Sequence, residues 1–296
     1  MNYSILFVRI MEIAIISGKG GTGKSCISAA FATLNSNIVL ADCDVDAANL
    51  YLLFHPTHEK EKVFVSGHKA VIDKAICTNC GVCINYCRFD AIAELDGEVL
   101  INETSCDGCK LCARICPEQA ISMVPEADSR MYSGTFRNGK MVYGRLSPGE
   151  ENSGLLVDMV REEAKKIAKA NNLETIILDG PPGIGCPVIS TITGVDYVVI
   201  VTEPTISGLH DMKRTMEVTS KFKLTTSVII NKFDLNSEVA AQIENYCNEQ
   251  NVQVIAKLPF DKLVVDAMLN RQSIIEFAPE SNISKLITQA YGTIIN

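Results

Sequence analysis

Unbroken apolar runs punctuate the chain at Ile13-Ala14-Ile15-Ile16, Ile38-Val39-Leu40-Ala41, Thr175-Ile176-Ile177-Leu178, Tyr197 to Thr202 and Ser227 to Asn231. Runs that do not alternate with polar residues mark strands covered on both faces, the pattern of a parallel sheet. Met11 opens the first of these strands directly. Asn138-Gly139, between Met131-Tyr132 and Met141-Val142-Tyr143, is a hairpin signal. Asn152, Ser153 and Gly154 are placed to cap a helix running through about Ala170. The pattern predicts an α/β fold, a doubly wound and mostly parallel sheet, with a stretch of different character between its halves.

That stretch holds eight of the twelve cysteines. They form two identical runs, Cys77-x2-Cys80-x2-Cys83-x3-Cys87 and Cys106-x2-Cys109-x2-Cys112-x3-Cys116, each cysteine of the second lying 29 positions after its counterpart in the first. The constant offset marks an internal duplication. Closely set thiolates on a tight loop suit three corners of an iron-sulfur cube, the fourth coming from elsewhere. Zinc ribbons space two Cys-x2-Cys pairs by a longer stretch. Disulfides would need an oxidising compartment, and residues 1–10 show neither a basic start nor a small-residue cleavage site. Those ten residues read as a floppy extension or a misassigned start. Arg88 follows the first run where Pro117 follows the second; a cation beside a cluster tends to raise its potential, so two cubes here need not be equivalent.

The first apolar run leads into Gly18-Lys19-Gly20-Gly21-Thr22-Gly23-Lys24-Ser25, which fits the P-loop pattern in its strand, loop, helix setting. Glycines let successive N–H groups converge on phosphate oxygens, and the following helix adds the positive end of its dipole. Lys24 is placed for the β- and γ-phosphates and Ser25 for Mg²⁺. Cys26, next in the helix, joins the binding set by position, although alone it reads as a small buried residue.

With Lys19 after its first glycine, the loop resembles the deviant Walker A of the MinD, ParA and nitrogenase iron protein group. The cysteine segment resembles two-cluster bacterial ferredoxins. From Met11 onward the chain is similar to MinD-superfamily ATPases carrying an inserted ferredoxin domain. The resemblance implies a nucleotide domain at 11–67 and 126–296, interrupted by a ferredoxin module at 68–125 that holds two [4Fe-4S] clusters. It implies crossed ligation, with one cube on Cys77, Cys80, Cys83 and Cys116 and the other on Cys106, Cys109, Cys112 and Cys87. It also implies that Lys19 reaches across a nucleotide-sandwich dimer to the partner's phosphates.

The same resemblance makes Asp42-Cys43-Asp44 the first switch, with Asp44 orienting the attacking water and Asp42 helping to hold hydrated Mg²⁺; Asp46 is a second candidate for the water. Asp179-Gly180-Pro181-Pro182-Gly183 resembles the Walker B aspartate running into the second switch, where Asp179 serves Mg²⁺ and Gly183 follows the γ-phosphate. Acidic residues at strand ends are elsewhere often helix caps. Asn231-Lys232 and Pro259-Phe260-Asp261 resemble the two adenine-side loops, with a plain turn as the alternative. Lys19, Lys24 and Asp44 are thus the catalytic candidates. The segment from Gly144 to Gly154 resembles one that follows the insert in this family, without an assigned role.

Charge narrows the partners. Lys and Arg number 27 against 35 Asp and Glu, and no basic stripe offers a nucleic-acid surface. The stretch from Ser281 to Asn296 carries Lys285 as its one cation, too few for a basic membrane anchor. No apolar run reaches transmembrane length. The expectation is a cytoplasmic protein of low-oxygen metabolism with protein partners. Cys43 and Cys247 read as buried. Cys186, just after the second switch, is a candidate for a bridging or transient metal site. His55, His58, His68 and His210 form no ligand spacing.

Two functions stay open. ATP-gated electron transfer to a redox partner, through a homodimer or a heterodimer with a paralogue, is favoured by the full set of eight ligands. Assembly or delivery of iron-sulfur or another metal cofactor to an acceptor protein is the alternative. Amidoligase chemistry on this fold would need a glutamine-hydrolysing domain, for which there is no room.

Overall fold

The computed structural model describes residues 9–295; most of the extension expected at 1–10 lies outside them. In chain order, β1 (Met11–Ser17) leads through the phosphate loop to α1 (Lys24–Thr33), then β2 (Ile38–Asp42), the short α2 (Leu50–Phe54) and β3 (Lys60–Phe64). The cysteine-rich stretch follows, with β4 (Gly67–Ile72), α3 (Val82–Tyr86), β5 (Ile92–Leu95), β6 (Glu98–Ile101), α4 (Leu111–Ile115) and β7 (Ile121–Glu126). Next come β8 (Ser129–Phe136), β9 (Gly139–Arg145), α5 (Ser153–Asn171), β10 (Thr175–Pro182), α6 (Cys186–Ile192), β11 (Tyr197–Thr202) and α7 (Ile206–Lys221). The chain ends with β12 (Thr225–Asn231), α8 (Ser237–Glu249), β13 (Gln253–Leu258), α9 (Lys262–Leu269), α10 (Ile274–Phe277) and α11 (Asn282–Ile295). Among the described residues two compact units result: one of the residues up to 62, with 131–145 and those from 153 onward, the other of 63–130 and 146–152.

Among the described residues, nine strands form one sheet in the order β13-β12-β11-β1-β10-β2-β9-β8-β3. The pairs from β13 to β9 are parallel. Successive residues of a strand point to opposite faces, and Ile13 to Ile16, Ile38 to Ala41 and Val198 to Val201 are all fully buried, so both faces are covered. This is why the runs lack alternation. Helix α1 packs on β1 and β10, α5 on β2, β9 and β10, and α11 on β13. Phe31 of α1 meets Tyr291 of α11 with ring centroids 5.1 Å apart. The register sets Asp179 directly beside Asp42 at the carboxyl ends of β10 and β2, where a doubly wound sheet collects its ligand-binding groups.

Of two local expectations, one holds with a shift and one is corrected. The hairpin expected at Asn138-Gly139 joins the neighbouring strands β8 and β9, but its tight turn is Arg137-Asn138, and Gly139 already belongs to β9. Its glycine is needed there because a Cβ would stand 2.4 Å from the Ile38 carbonyl oxygen of the adjacent β2. Asn152 does not cap α5: its backbone is left-handed, at φ 65°, and its side-chain amide donates to the Ser66 carbonyl instead.

The cysteine-bearing unit is built twice over. Strand β4 pairs antiparallel with β7 and β5 with β6, and the registers Ile72 with Ile121 and Ile101 with Ile92 are the same pair under the 29-residue shift. The hydrogen bonds Asp73 N–H to Ala120 O and Asn102 N–H to Ala91 O, both 2.7 Å, are likewise twins. Left-handed backbone recurs at Asn79 and Gly108, at Gly81 and Lys110, and at Asp90 and Gln119. The two loops therefore share one course although their residues differ. Ala70, Cys83, Ile92, Val99 and Ile121 form the buried core of this unit, with Cys87, Cys106, Cys112 and Cys116 packed against it.

Candidate functional site

At the carboxyl ends of β1, β10 and β2, Lys24 meets a group of carboxylates. Its Nζ donates to Asp179 Oδ1 at 2.9 Å and lies 3.6 Å from Asp44 Oδ2. Ser25 Oγ donates to Asp179 Oδ2 at 2.7 Å, and Ser28 Oγ to Asp179 Oδ1 at 2.6 Å. Burial alone would lower the Lys24 pKa, but Asp179, then Asp44 and Asp42, outweigh it and hold the ammonium protonated. Burial, reinforced by the Asp179 charge, pushes Asp42 up. Burial also raises Asp44, with Lys24 opposing. Asp42 accepts the backbone N–H groups of Asp44, Asn49 and Leu50, each at 3.2 Å, and so ties the first switch to the start of α2. Of the two water-positioning candidates, Asp44 is the one beside Lys24, whereas Asp46 is exposed. Gly183, at φ 94°, donates its N–H to the Ser17 carbonyl at 2.8 Å.

Lys19 is held within its own chain. Its Nζ lies 2.7 Å from Glu203 Oε1 and donates to Thr205 Oγ1 at 3.1 Å and Ser207 Oγ at 3.2 Å. Lys232 Nζ binds the other oxygen of Glu203 at 3.2 Å and also donates to the Gly21 carbonyl. Burial would raise the Glu203 carboxyl, but hydrogen bonds from the two lysines win and hold it below the ordinary range. Asn231 Nδ2 donates to the Thr22 carbonyl at 2.8 Å, close enough that a Cβ on Gly23 would stand 2.3 Å from that nitrogen. Gly21, Gly23, Cys26, Asn231, Lys232 and Pro259 line a common pocket of about 250 Å³, walled on its apolar side by Val264, Val265 and Met268. The phosphate loop and both expected base-side loops thus meet around one cavity. Cys26, expected to be buried, is half-buried with its sulfur 3.1 Å from that of Met268, while Cys43 and Cys247 are buried and Cys186 is exposed.

The chain after the cysteine-rich stretch contributes contacts that its sequence did not announce. A Cβ on Gly144 would lie 2.7 Å from Val45 Cγ1, the residue after Asp44, and one on Gly154 3.5 Å from the Cys186 Cβ. Both ends of the 144–154 segment therefore lie against residues that flank the expected switches. Ser28, Glu203, Thr205 and Ser207 were likewise missed. The spacing of Ser28, one helical turn after Lys24, and of Thr205, which caps α7 by accepting the Gly208 N–H, is their only sequence signal.

The eight clustered thiols divide into two cages. Cys77, Cys80, Cys83 and Cys116 line one cavity with Ile72, Val99 and Ile121. Cys87, Cys106, Cys109 and Cys112 line another with Ala70, Ile92 and Ile101. Each cage takes three cysteines from one run and the last from the other. Burial pushes the Cys83 and Cys112 thiols up, more than nearby backbone N–H groups lower them. Cys80 and Cys109 are exposed. Among the described residues no three His, Cys, Asp or Glu side chains converge on a point fit for a single ion. A lone tetrahedral zinc needs its sulfurs about 3.8 Å apart, given Zn–S bonds of about 2.3 Å. A cube binds each thiolate through a different iron and spreads them wider, and four thiols set among mostly apolar walls fit that donor set. No helix among the described residues is long and apolar enough to cross a membrane.

A parallel sheet whose central strand runs into a glycine-rich loop, with lysine and serine against a buried aspartate, defines a P-loop nucleotide-binding protein. Residues 13–274 match the family described as CobQ/CobB/MinD/ParA nucleotide binding domain, and the chain belongs to that family as an ATPase of the MinD/ParA type. An uncharacterized protein of Methanocaldococcus jannaschii is 36% identical over 287 residues, 95% of each chain. The cell division ATPase MinD of Pyrococcus furiosus superimposes with a TM-score of 0.58 over 96% of this chain and 98% of its own, at 19% identity, a likeness of fold. A ferredoxin of Pyrobaculum islandicum is 34% identical over 89 residues, 29% of this chain and 78% of that protein.

Proposed function

We propose that this chain is an iron-sulfur ATPase in which binding and hydrolysis of Mg-ATP govern when electrons pass to a protein partner. The observation that carries this reading is the pair of four-thiol cages on the same chain as a phosphate loop. Held by Cys77, Cys80, Cys83 and Cys116, and by Cys106, Cys109, Cys112 and Cys87, two [4Fe-4S] groups supply one-electron redox chemistry. The N–H groups of Gly18 to Ser25, with Cys26 at the helix start, cradle the phosphates. Lys24 turns from Asp179 and Asp44 to the β- and γ-oxygens, which relieves its crowding among carboxylates. Ser25, Asp42 and Asp179 hold hydrated Mg²⁺, and Asp44 orients the attacking water. Asn231, Lys232 and Pro259 hold the base.

The resting contacts support a switch. Lys19 leaves Glu203 to reach the phosphates of a second subunit, an identical copy or a paralogue, and the Gly183 N–H leaves Ser17 for the γ-phosphate. Each exchange trades a contact within the chain for one that exists only with triphosphate bound, as a nucleotide-driven switch requires. The domain plan is a discontinuous nucleotide domain around a ferredoxin module.

Anaerobic purification with iron and sulfide analysis, followed by reduction assays with ATP, ADP or no nucleotide, tests the reading. Chelator-resistant clusters whose reduction rate responds to ATP, and ceases to respond in Lys24→Ala, are the expected result. A colourless protein that binds no adenine nucleotide would overturn it. The exposure of Cys80 and Cys109 favours a second reading, delivery of the cluster itself. Passage of labelled iron to an apo-acceptor would select that one.

A further inference from the structure

The duplication of the cysteine-bearing unit allows its two cages to be compared position by position, because equivalent backbone follows the same course. Lys110 lines the Cys87 cage where its counterpart Gly81 lines the other. Phe89 lines the Cys87 cage where Glu118 lines the other, and Asp107 where Thr78 does. Arg88, next to Cys87, lays its guanidinium 5.7 Å from the centre of the Phe89 ring, and its counterpart is Pro117. Counting these positions, the Cys87 cage has two cations against one anion, and the Cys116 cage has a single anion.

We propose that this imbalance makes the two cages unequal electron sites, and that the first electron entering the protein settles on the Cys87, Cys106, Cys109, Cys112 cage. The inference rests on the cluster reading above. Reduction adds one negative charge to a cluster without forming or breaking a covalent bond, so nearby cations favour the reduced state and a nearby carboxylate opposes it. N–H groups donated to sulfur also favour reduction, and the other cage has two: Asn79 to Cys77 Sγ at 3.5 Å and Ala120 to Cys116 Sγ at 3.3 Å. Among the described residues their counterparts Gly108 and Ala91 make no such bond, so these two dipoles favour the other cage, and the difference of two formal charges between the cages has to outweigh them. Arg88, Asp107, Lys110 and Glu118 are exposed, so their effect is screened by salt.

The test is a reductive titration of the anaerobic full-length protein with dithionite, each cluster taking one electron from the added reductant, followed by electron paramagnetic resonance. Two separate potentials are expected. Lys110→Gly, which suits the left-handed backbone at this position, lowers only the higher one, by up to a tenfold change in the reduction equilibrium, or 59 mV for one electron. Arg88→Gln shifts the same potential in the same direction and serves if Lys110→Gly loses iron. Glu118→Gln raises only the lower one, and added salt narrows the gap. Coincident potentials in a protein with full iron and sulfide, or Lys110→Gly and Glu118→Gln acting on the same cluster, would overturn the assignment and leave the cluster reading standing. Absence of clusters would overturn both.

Discussion

The nucleotide unit and the cysteine-bearing unit solve opposite problems. In the first, every charge of the site already has a partner: Lys24 lies on Asp179, Asp42 on three backbone N–H groups, and Lys19 on Glu203. A sheet buried on both faces fixes these groups. In the second, the four thiols of each cage face a cavity, and the buried core amounts to five side chains. A pre-paired site is poised to exchange partners; a cage must be filled to be stable.

The contrast is sharpest on removing iron. Small modules without sufficient core lean on bound metal for stability. In the chelated protein, proteolytic cleavage within 63–130 is expected to accelerate more than about tenfold while the nucleotide unit keeps its protection. Equal resistance of both units with and without iron would break the comparison. The reverse perturbation, Lys24→Ala, removes the cation that faces the phosphates and is expected to lower ATP hydrolysis at least about 100-fold. Iron content should be unchanged, and a parallel loss of iron would mean the two sites are not separately built.

Glu203→Gln probes the pre-paired state directly. Loosening the hold on Lys19 and Lys232 is expected to raise the fraction of ATP-dependent dimer about two- to fivefold at limiting protein, in keeping with roughly 0.5–1 kcal/mol for a partly exposed pair. Sedimentation velocity with a non-hydrolysable nucleotide reads it. A weaker dimer would show that Glu203 positions Lys19 for its partner instead of retaining it.

Much of this contrast was legible in the residues. The central strands declared themselves because a strand covered on both faces cannot alternate, and Met11, Ile38, Thr175 and Tyr197 each begin one. The cysteine runs declared the duplication by their constant offset. What stayed hidden depends on register between distant segments. Lys19 meets Glu203 because β1 and β11 lie side by side in parallel, and nothing local to Lys19 says so. The edge strand β3 was illegible for the opposite reason, since its burial is mixed. Gly139 looked like a turn residue because Asn-Gly usually is one, yet the close carbonyl of Ile38 is what demands a glycine there.

A last variant tests whether pre-pairing extends beyond the nucleotide site to the sheet edge. Glu163 of α5 has a side chain only 6% exposed and takes Lys60 Nζ at 2.6 Å and Lys62 Nζ at 3.0 Å. These lysines alternate along β3 and so point to one face. Burial would raise the Glu163 carboxyl, but the two lysine hydrogen bonds prevail and hold it below its ordinary value of 4.5. A carboxylate whose pKa is lowered by folding gives stability that is present above the unfolded value and lost as pH falls through the folded one. Glu163→Gln keeps the shape but not the charge, and both lysines remain half in water. The variant is therefore expected to lose about 1–2 kcal/mol at pH 7, with the gap to wild type closing as pH falls below about 4.5 in denaturant melts. A gap that stayed constant with pH would assign the loss to packing, and the edge strand would then be held by shape alone.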